Sequence, residues 1–315
     1  MKNKIFTLFL LFFSTISYAQ RNNEWIKFNW HGDSIYGKYY DKVAITIPIK
    51  IDNLPYNFCS QFDMGATKTV LYGVSLKPFL NNNYNLLQKL DTTIAPYYLN
   101  GHKGNFLTNV NLQLDKTLFA KSSIVYVPDS GDPSSYDSIN SATQKLVGTI
   151  AVDLFQNKIL VLDFKNDRLS TYTKLPEMYE KAVFEKAIIR KGRVKLPLKI
   201  GDKIVYVMFD TGSCIGDLLL DKETINQVAE ITTPKEEFLN GNTWGENVAY
   251  FNKKTEKLIY FNNIKLDIKN AQFSDLERDI QFNKEEKIIG TLGPVLFSKS
   301  VVIIDYINNR FGVLL

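Results

Sequence analysis

Two stretches of this 315-residue chain repeat each other without a gap: "LVGTIAVDLFQNKILVLDFKNDRL" (146–169) and "IIGTLGPVLFSKSVVIIDYINNRF" (288–311). Gly-Thr, Leu-Phe, an apolar strand, Asp-aromatic and Asn-x-Arg recur in register. Upstream, "IPIKIDNLPYNFCSQFDMGA" (47–66) matches "LPLKIGDKIVYVMFDTGS" (196–213), with a small difference in turn length. Between these landmarks, "YYLNGHKG" (97–104) echoes "FLNGNTWG" (238–245), and Asn-Gly signals a hairpin turn in each. The landmarks keep one order at a spacing of about 140–150 residues, far longer than a solenoid unit. A chain built this way folds as one unit made twice.

That unit reads as mostly β. Short apolar or alternating runs such as "VAITIPIKI", "RVKLPLKI" and "KLIYFNNIKLDI" are separated by Asn, Gly and Asp turns. Helical patterning is sparse. It is expected in "DKETINQVAEI", which opens on Asp221, and in "PEMYEKAVFEKAI", with Pro176 in its first turn. The division is then an N-terminal unit over 20–172, a linker over 173–190 and a C-terminal unit over 191–315. The polar stretch "PDSGDPSSYDSINSATQ" (128–144) lengthens the first copy and has loop composition.

Residues 1–19 stand outside this scheme. Lys2 and Lys4 precede the apolar run "IFTLFLLFFSTI", and "SYA" ends in a small residue. The pattern is that of a Sec-type signal peptide with a mature start at Gln20. A periplasmic or extracellular location and a chain without a membrane span are expected. The formal charge of +5 includes no dense Lys/Arg block, so nucleic-acid binding has no support.

Only two histidines occur, His31 and His102, and neither stands in metal-ligand spacing with Cys, Asp or Glu. A metal site and a Ser-His-Asp triad are both disfavoured. Acid–base chemistry, if present, falls to carboxylates. Cys59 and Cys214 are the only cysteines. They read as buried thiols or as one disulfide, and the sequence leaves that open.

Superposing the copies sets Asp63 of "QFDMGA" against Asp210 of "MFDTGS". Each ends an apolar strand and is followed two residues later by glycine. Equivalent positions near a pseudo-twofold axis meet, and two carboxyls at short range share a proton and titrate as a unit. Such a pair can act as base and acid at once.

Together "FDMGA"/"FDTGS", "LVG"/"IIG" and "LDFKNDR"/"IDYINNR" resemble the aspartic proteases of the pepsin and retropepsin clan, over roughly 43–315. The compact repeats are most similar to bacterial tandem retropepsin-like proteins. The resemblance implies a two-lobed fold of duplicated closed β-barrels about a pseudo-twofold. It implies a monomeric endopeptidase acting on peptide or protein substrates with no cofactor and no metal. Asp63 and Asp210 would be the catalytic pair, supported by Gly65, Ala66, Thr211, Gly212 and Ser213. In that family pattern the glycines allow the tight turns, Thr211 ties the two loops together and Ser213 bonds the nearby carboxylate. Tyr98, Asn100 and Gly101 would belong to a flap, with Trp244 on a second flap-like loop; Tyr97 competes with Tyr98 for the flap-tyrosine role.

Met64 stands where threonine is usual, which removes half of a reciprocal hydroxyl network. Ala66 stands where serine is usual, and with one donor fewer to the carboxylate a less acidic dyad and a less acidic optimum than pepsin's are expected. Met64 keeps a second reading open, a peptide-binding protein of this fold with weak or lost catalysis. Asp163 and Asp305, in the repeated "LDF"/"IDY", are expected to pair with Arg168 and Arg310 as structural turns.

Overall fold

The computed structural model describes residues 24–35, 37–80, 86–134, 144–229, 236–243 and 246–315. The signal-peptide assignment, Trp244 and most of the polar stretch 128–144 lie outside them. The described chain is mostly β, in sheets of six, nine and ten strands. Among the described residues no helix is long and apolar enough to cross a membrane.

The duplication is written into strand pairing. In the first copy Lys38–Ile51 pairs antiparallel with Phe58–Phe62, which lies parallel to Lys145–Ile150. That strand turns its other edge to Val70–Tyr72, antiparallel, and Val70–Tyr72 runs parallel to Thr117–Val127. The second copy repeats all four relations. Arg193–Ile200 pairs with Lys203–Phe209, Lys203–Phe209 with Gly290–Leu292, Gly290–Leu292 with Leu218–Asp221, and Leu218–Asp221 with Asn270–Ser274.

Inserting a late strand between two early ones forces the chain after each aspartate to cross over a strand end. Both crossings depend on glycine. A Cβ on Gly148 would stand 2.2 Å from the Val70 carbonyl oxygen, and one on Gly290 would stand 2.2 Å from that of Leu219. This is why "LVG" and "IIG" recur: a close backbone approach excludes any side chain there.

The two copies join in the six-stranded sheet. At its centre Ile159–Asp163 pairs antiparallel with Val301–Asp305, and Val161 faces Ile303, its own counterpart in the repeat. A strand paired to its equivalent about equivalent residues generates a local twofold. Both strands are buried along their whole length, so they read as continuous apolar runs. Each leads into the same corner. The Asp163 carboxylate accepts from Arg168 Nε at 2.9 Å, and that of Asp305 from Arg310 Nε at 2.7 Å. Asn166 and Asn308 each donate to the same aspartate at 2.8 Å. The guanidinium groups lie 4.1 Å over the Trp25 ring and 4.2 Å over the Phe184 ring. These paired acids are structural corners, as their sequence context indicates.

Three elements depart from the sequence reading. "PEMYEKAVFEKAI" forms only a 3₁₀ turn at Glu177–Tyr179, because Val183–Lys186 is captured as a strand by Arg310–Leu314. Residues 173–190, expected as a linker, thus supply an outer strand of the central sheet. The described part of "DKETINQVAEI" likewise holds only the 3₁₀ turn Ile225–Gln227, and Asp221 accepts from the amides of Glu223 and Thr224 just before it rather than opening a helix. Among the described residues the one long helix, Glu277–Glu286, buries Ile280, Asn283 and Glu286, a face too polar to read as amphipathic.

Candidate active site

Phe62 and Phe209 end their strands fully buried, and the next residue in each copy is the aspartate. Equivalent backbone bonds fix both turns: Asp63 N–H donates to Ile150 O at 3.0 Å, and Asp210 N–H to Leu292 O at 3.1 Å. The strands carrying the aspartates and the glycine crossings therefore aim both carboxyls at the local twofold.

There the carboxyls meet. Both carboxyls lie within hydrogen-bonding reach of one backbone amide, and two carboxyls at that range favour sharing one proton. The Gly65 amide bridges the pair, donating to Asp63 Oδ1 at 2.8 Å and to Asp210 Oδ1 at 2.9 Å. Ala66 N–H adds a bond to Asp63 Oδ1 at 2.9 Å, and Gly212 N–H one to Asp210 Oδ1 at 2.7 Å. Asp63 is 5% exposed, whereas Asp210 is only partly buried. Burial first, then the charge and hydrogen bond of Asp210, hold the Asp63 carboxyl well above the usual carboxylate range. The amides of Ala66 and Gly65 pull the other way without overcoming this.

The glycines serve packing more than turn geometry. Neither Gly65 nor Gly212 takes a positive φ. A Cβ on Gly65 would lie 2.5 Å from Asp210 Oδ2, and one on Gly212 would lie 2.9 Å from Asp63 Cγ. Each glycine leaves room for the carboxyl of the opposite turn.

Thr211 ties the turns together from one side. Its hydroxyl donates to Phe62 O at 2.8 Å and accepts from Met64 N–H at 3.0 Å, both across the two copies. Met64 returns nothing of the kind; its side chain is fully buried in the main apolar cluster. Ser213 contributes its amide, which donates to Asp210 O at 3.3 Å, and its hydroxyl is not among the groups bonded to the Asp210 carboxyl. Cys59 and Cys214 are free and buried. Burial pushes the Cys59 thiol up to about 11, and burial with the nearby Asp210 and Asp63 pushes Cys214 up as well. Neither is a thiolate at neutral pH.

The hairpin at Asn100–Gly101 is present, with both residues at positive φ (49° and 84°) as the turn requires. Tyr97, rather than Tyr98, reaches the site. Its hydroxyl lies 3.4 Å from that of Thr67, just past the Asp63 turn, while Tyr98 is 61% exposed. Strand alternation puts the two tyrosines on opposite faces. In the second copy Asn240 and Gly241 do not form the turn. They pair with Ala249 and Val248, and the ladder closes with Thr243 opposite Glu246. Trp244 falls between those two and outside the described residues.

The sequence reading missed Arg193. Its Nε–H donates to the Gly65 carbonyl at 2.7 Å, across the two copies. The available signal was Arg193 and Lys195 alternating, with Lys199 beyond, on one face of a strand whose other face is apolar, and a basic residue buried there demands a carboxylate partner. That partner is Glu286 on the long helix, 3.4 Å from Arg193 and 2.8 Å from Lys195.

Among the described residues no three His, Cys, Asp or Glu side chains converge to hold a metal ion. No protein-family model matches the chain, and no curated protein matches it at a significant level.

Proposed function

We propose that the chain is an aspartic endopeptidase of the two-lobed pepsin and retropepsin type, exported by its signal peptide and using Asp63 and Asp210 as its catalytic dyad. The observation that carries this reading is the pair of facing carboxyls, one from each copy, bridged by the Gly65 amide. The other pair of acids the duplication repeats, Asp163 and Asp305, instead faces cations. Two carboxyls facing each other and no cation store a proton, which suits general acid–base work.

The division of labour follows burial. Asp63, the more buried, holds the shared proton, and Asp210, more open to solvent, is the base. Asp210 takes a proton from a water as that water's oxygen attacks the peptide carbonyl carbon. Asp63 gives its proton to the carbonyl oxygen, leaving a neutral gem-diol. On collapse, Asp210 passes its proton to the leaving nitrogen, Asp63 regains one from a diol hydroxyl, and the C–N bond breaks. No covalent intermediate forms, and the dyad returns to its starting protonation.

The substrate is an extended peptide, because backbone pairing to the Asn100–Gly101 hairpin and the neighbouring strands recognises that conformation. The raised Asp63 supports an optimum less acidic than pepsin's. A broad peptide library digested by the wild type and by Asp63→Asn and Asp210→Asn variants tests the assignment. Turnover confined to the wild type supports it. A folded wild type that binds peptides without cleaving them favours the binding-protein reading that Met64 motivates.

A further inference from the structure

We infer that Arg193 is a positioning residue for Asp63, acting across the two copies through the Gly65–Ala66 peptide group. The inference rests on the dyad reading for its functional meaning and on geometry for its substance. Arg193 Nε–H donates to Gly65 O at 2.7 Å. That oxygen belongs to the same peptide unit as the Ala66 N–H, which donates to Asp63 Oδ1 at 2.9 Å. One amide is thus held between a guanidinium on its oxygen and a carboxyl on its N–H. A charge-assisted bond to the oxygen polarises the amide and strengthens its donor end. The strengthened bond favours ionised Asp63 and fixes its rotamer.

Arg193 is itself anchored. Its Nη1 lies 3.4 Å from Glu286 Oε1, and its guanidinium lies 5.2 Å over the Phe282 ring, both on the helix Glu277–Glu286. Glu286 also faces Lys195 at 2.8 Å and Arg190 at 3.8 Å. Burial alone would raise Glu286, but these cations outweigh it and hold the carboxylate below its ordinary range. The groups that face Asp63 are Asp210 from the opposite turn, Tyr72 and the Cys214 thiol, with Arg193 reaching its turn from behind. Arg193 is the cation bonded to that turn.

The contact is one-sided, and its side is informative. In the alignment of "IPIKI" with "LPLKI", Ala44 occupies the place of Arg193, so the Asp210 turn receives no such bond. The turn that Arg193 holds is the one where Met64 replaces a hydroxyl residue. Arg193 supplies that turn with a cross-copy bond that Met64 cannot make.

The test reads the carboxyls directly, by NMR titration of protein labelled with ¹³C at the aspartate carboxyl carbon, with Asp63→Asn identifying the pair. Arg193→Met should move the upper titration step of the pair upward by about one pH unit, and Arg193→Lys by less. Glu286→Gln, which leaves Arg193 unneutralised, should move it downward; general loosening of the site would not produce opposite signs. An unmoved step in folded Arg193→Met overturns the inference. So does an unmoved or raised step in Glu286→Gln, should Arg193→Met fail to fold. The titration does not require turnover. Shifts as expected in a wild type that cleaves nothing sink the peptidase reading alone, and a cleaving wild type without the shifts sinks only the role of Arg193.

Discussion

Replacing Gly65 by alanine tests the reciprocal packing of the two turns. The new Cβ would stand 2.5 Å from Asp210 Oδ2, 2.7 Å from its Cγ and 3.0 Å from its Oδ1. Carbon atoms normally approach no closer than about 3.5 Å, so roughly 1 Å of overlap must be relieved. The Asp210 carboxyl cannot swing away freely, because Gly212 N–H at 2.7 Å and Gly65 N–H at 2.9 Å both hold it. Overpacking costs about 1–3 kcal/mol. Losing one hydrogen bond to a charged acceptor adds about 1.5–3 kcal/mol. Gly65→Ala should therefore destabilise by about 3–5 kcal/mol, on the scale of a small domain's whole stability. Gly212→Ala meets Asp63 Cγ only at 2.9 Å and both oxygens at 3.1 Å, so about 1–3 kcal/mol is expected. Urea unfolding at neutral pH gives both values, and kcat/KM on a cleaved peptide should fall further for Gly65→Ala. A Gly65→Ala protein within about 0.5 kcal/mol of wild type, or one more stable than Gly212→Ala, would refute the packing argument.

Thr211→Val keeps shape but leaves Phe62 O and Met64 N–H without their buried partner, so about 2–4 kcal/mol should be lost in urea unfolding, with Thr211→Ser recovering most of it. The pH dependence of stability is also determined in sign. Asp63 is raised in the folded state, so it binds its proton more tightly there than when unfolded. Its contribution is complete below the ordinary aspartate value of 3.8 and is lost as pH rises through the raised folded value. Asp63→Asn should therefore gain stability relative to wild type as pH rises from about 4 to about 7, measured by unfolding at each pH. A difference that stays flat, or runs the other way, contradicts the buried shared proton.

The sequence made the duplication readable because its markers are positions where geometry permits one residue type. Gly148 and Gly290 carry no Cβ because a carbonyl is in the way, and Asp-Asn-Arg corners recur because each acid needs its two donors. Asp63 and Asp210 stand out in the sequence because they end equivalent strands in the two copies. Local propensity failed where tertiary pairing overrode it. Val183–Lys186 is a strand because Arg310–Leu314 offers an edge, and Asn240–Gly241 is straight because the ladder continues past it. The helix Glu277–Glu286 was hidden because its buried face is completed by polar partners, Asn283 to Asp221 at 2.6 Å and Glu286 to Lys195. The basic face of the strand pointed to a carboxylate partner for Arg193, but its bond to the Gly65 carbonyl was hidden, because a backbone carbonyl leaves no mark in the sequence. Tyr97 and Tyr98 could be told apart only by which face of the strand the sheet buries.

The central claim is that Asp63 and Asp210 together activate water for peptide hydrolysis. Its most direct measurement is kcat for one cleaved peptide between about pH 3 and pH 8, for wild type, Asp63→Asn and Asp210→Asn, with each variant's fold checked by circular dichroism. The wild type should show an optimum above pepsin's acidic range, and either variant should lose about three orders of magnitude or more with the fold intact. Wild-type turnover in both variants, or a folded wild type that cleaves nothing at any pH, would contradict it.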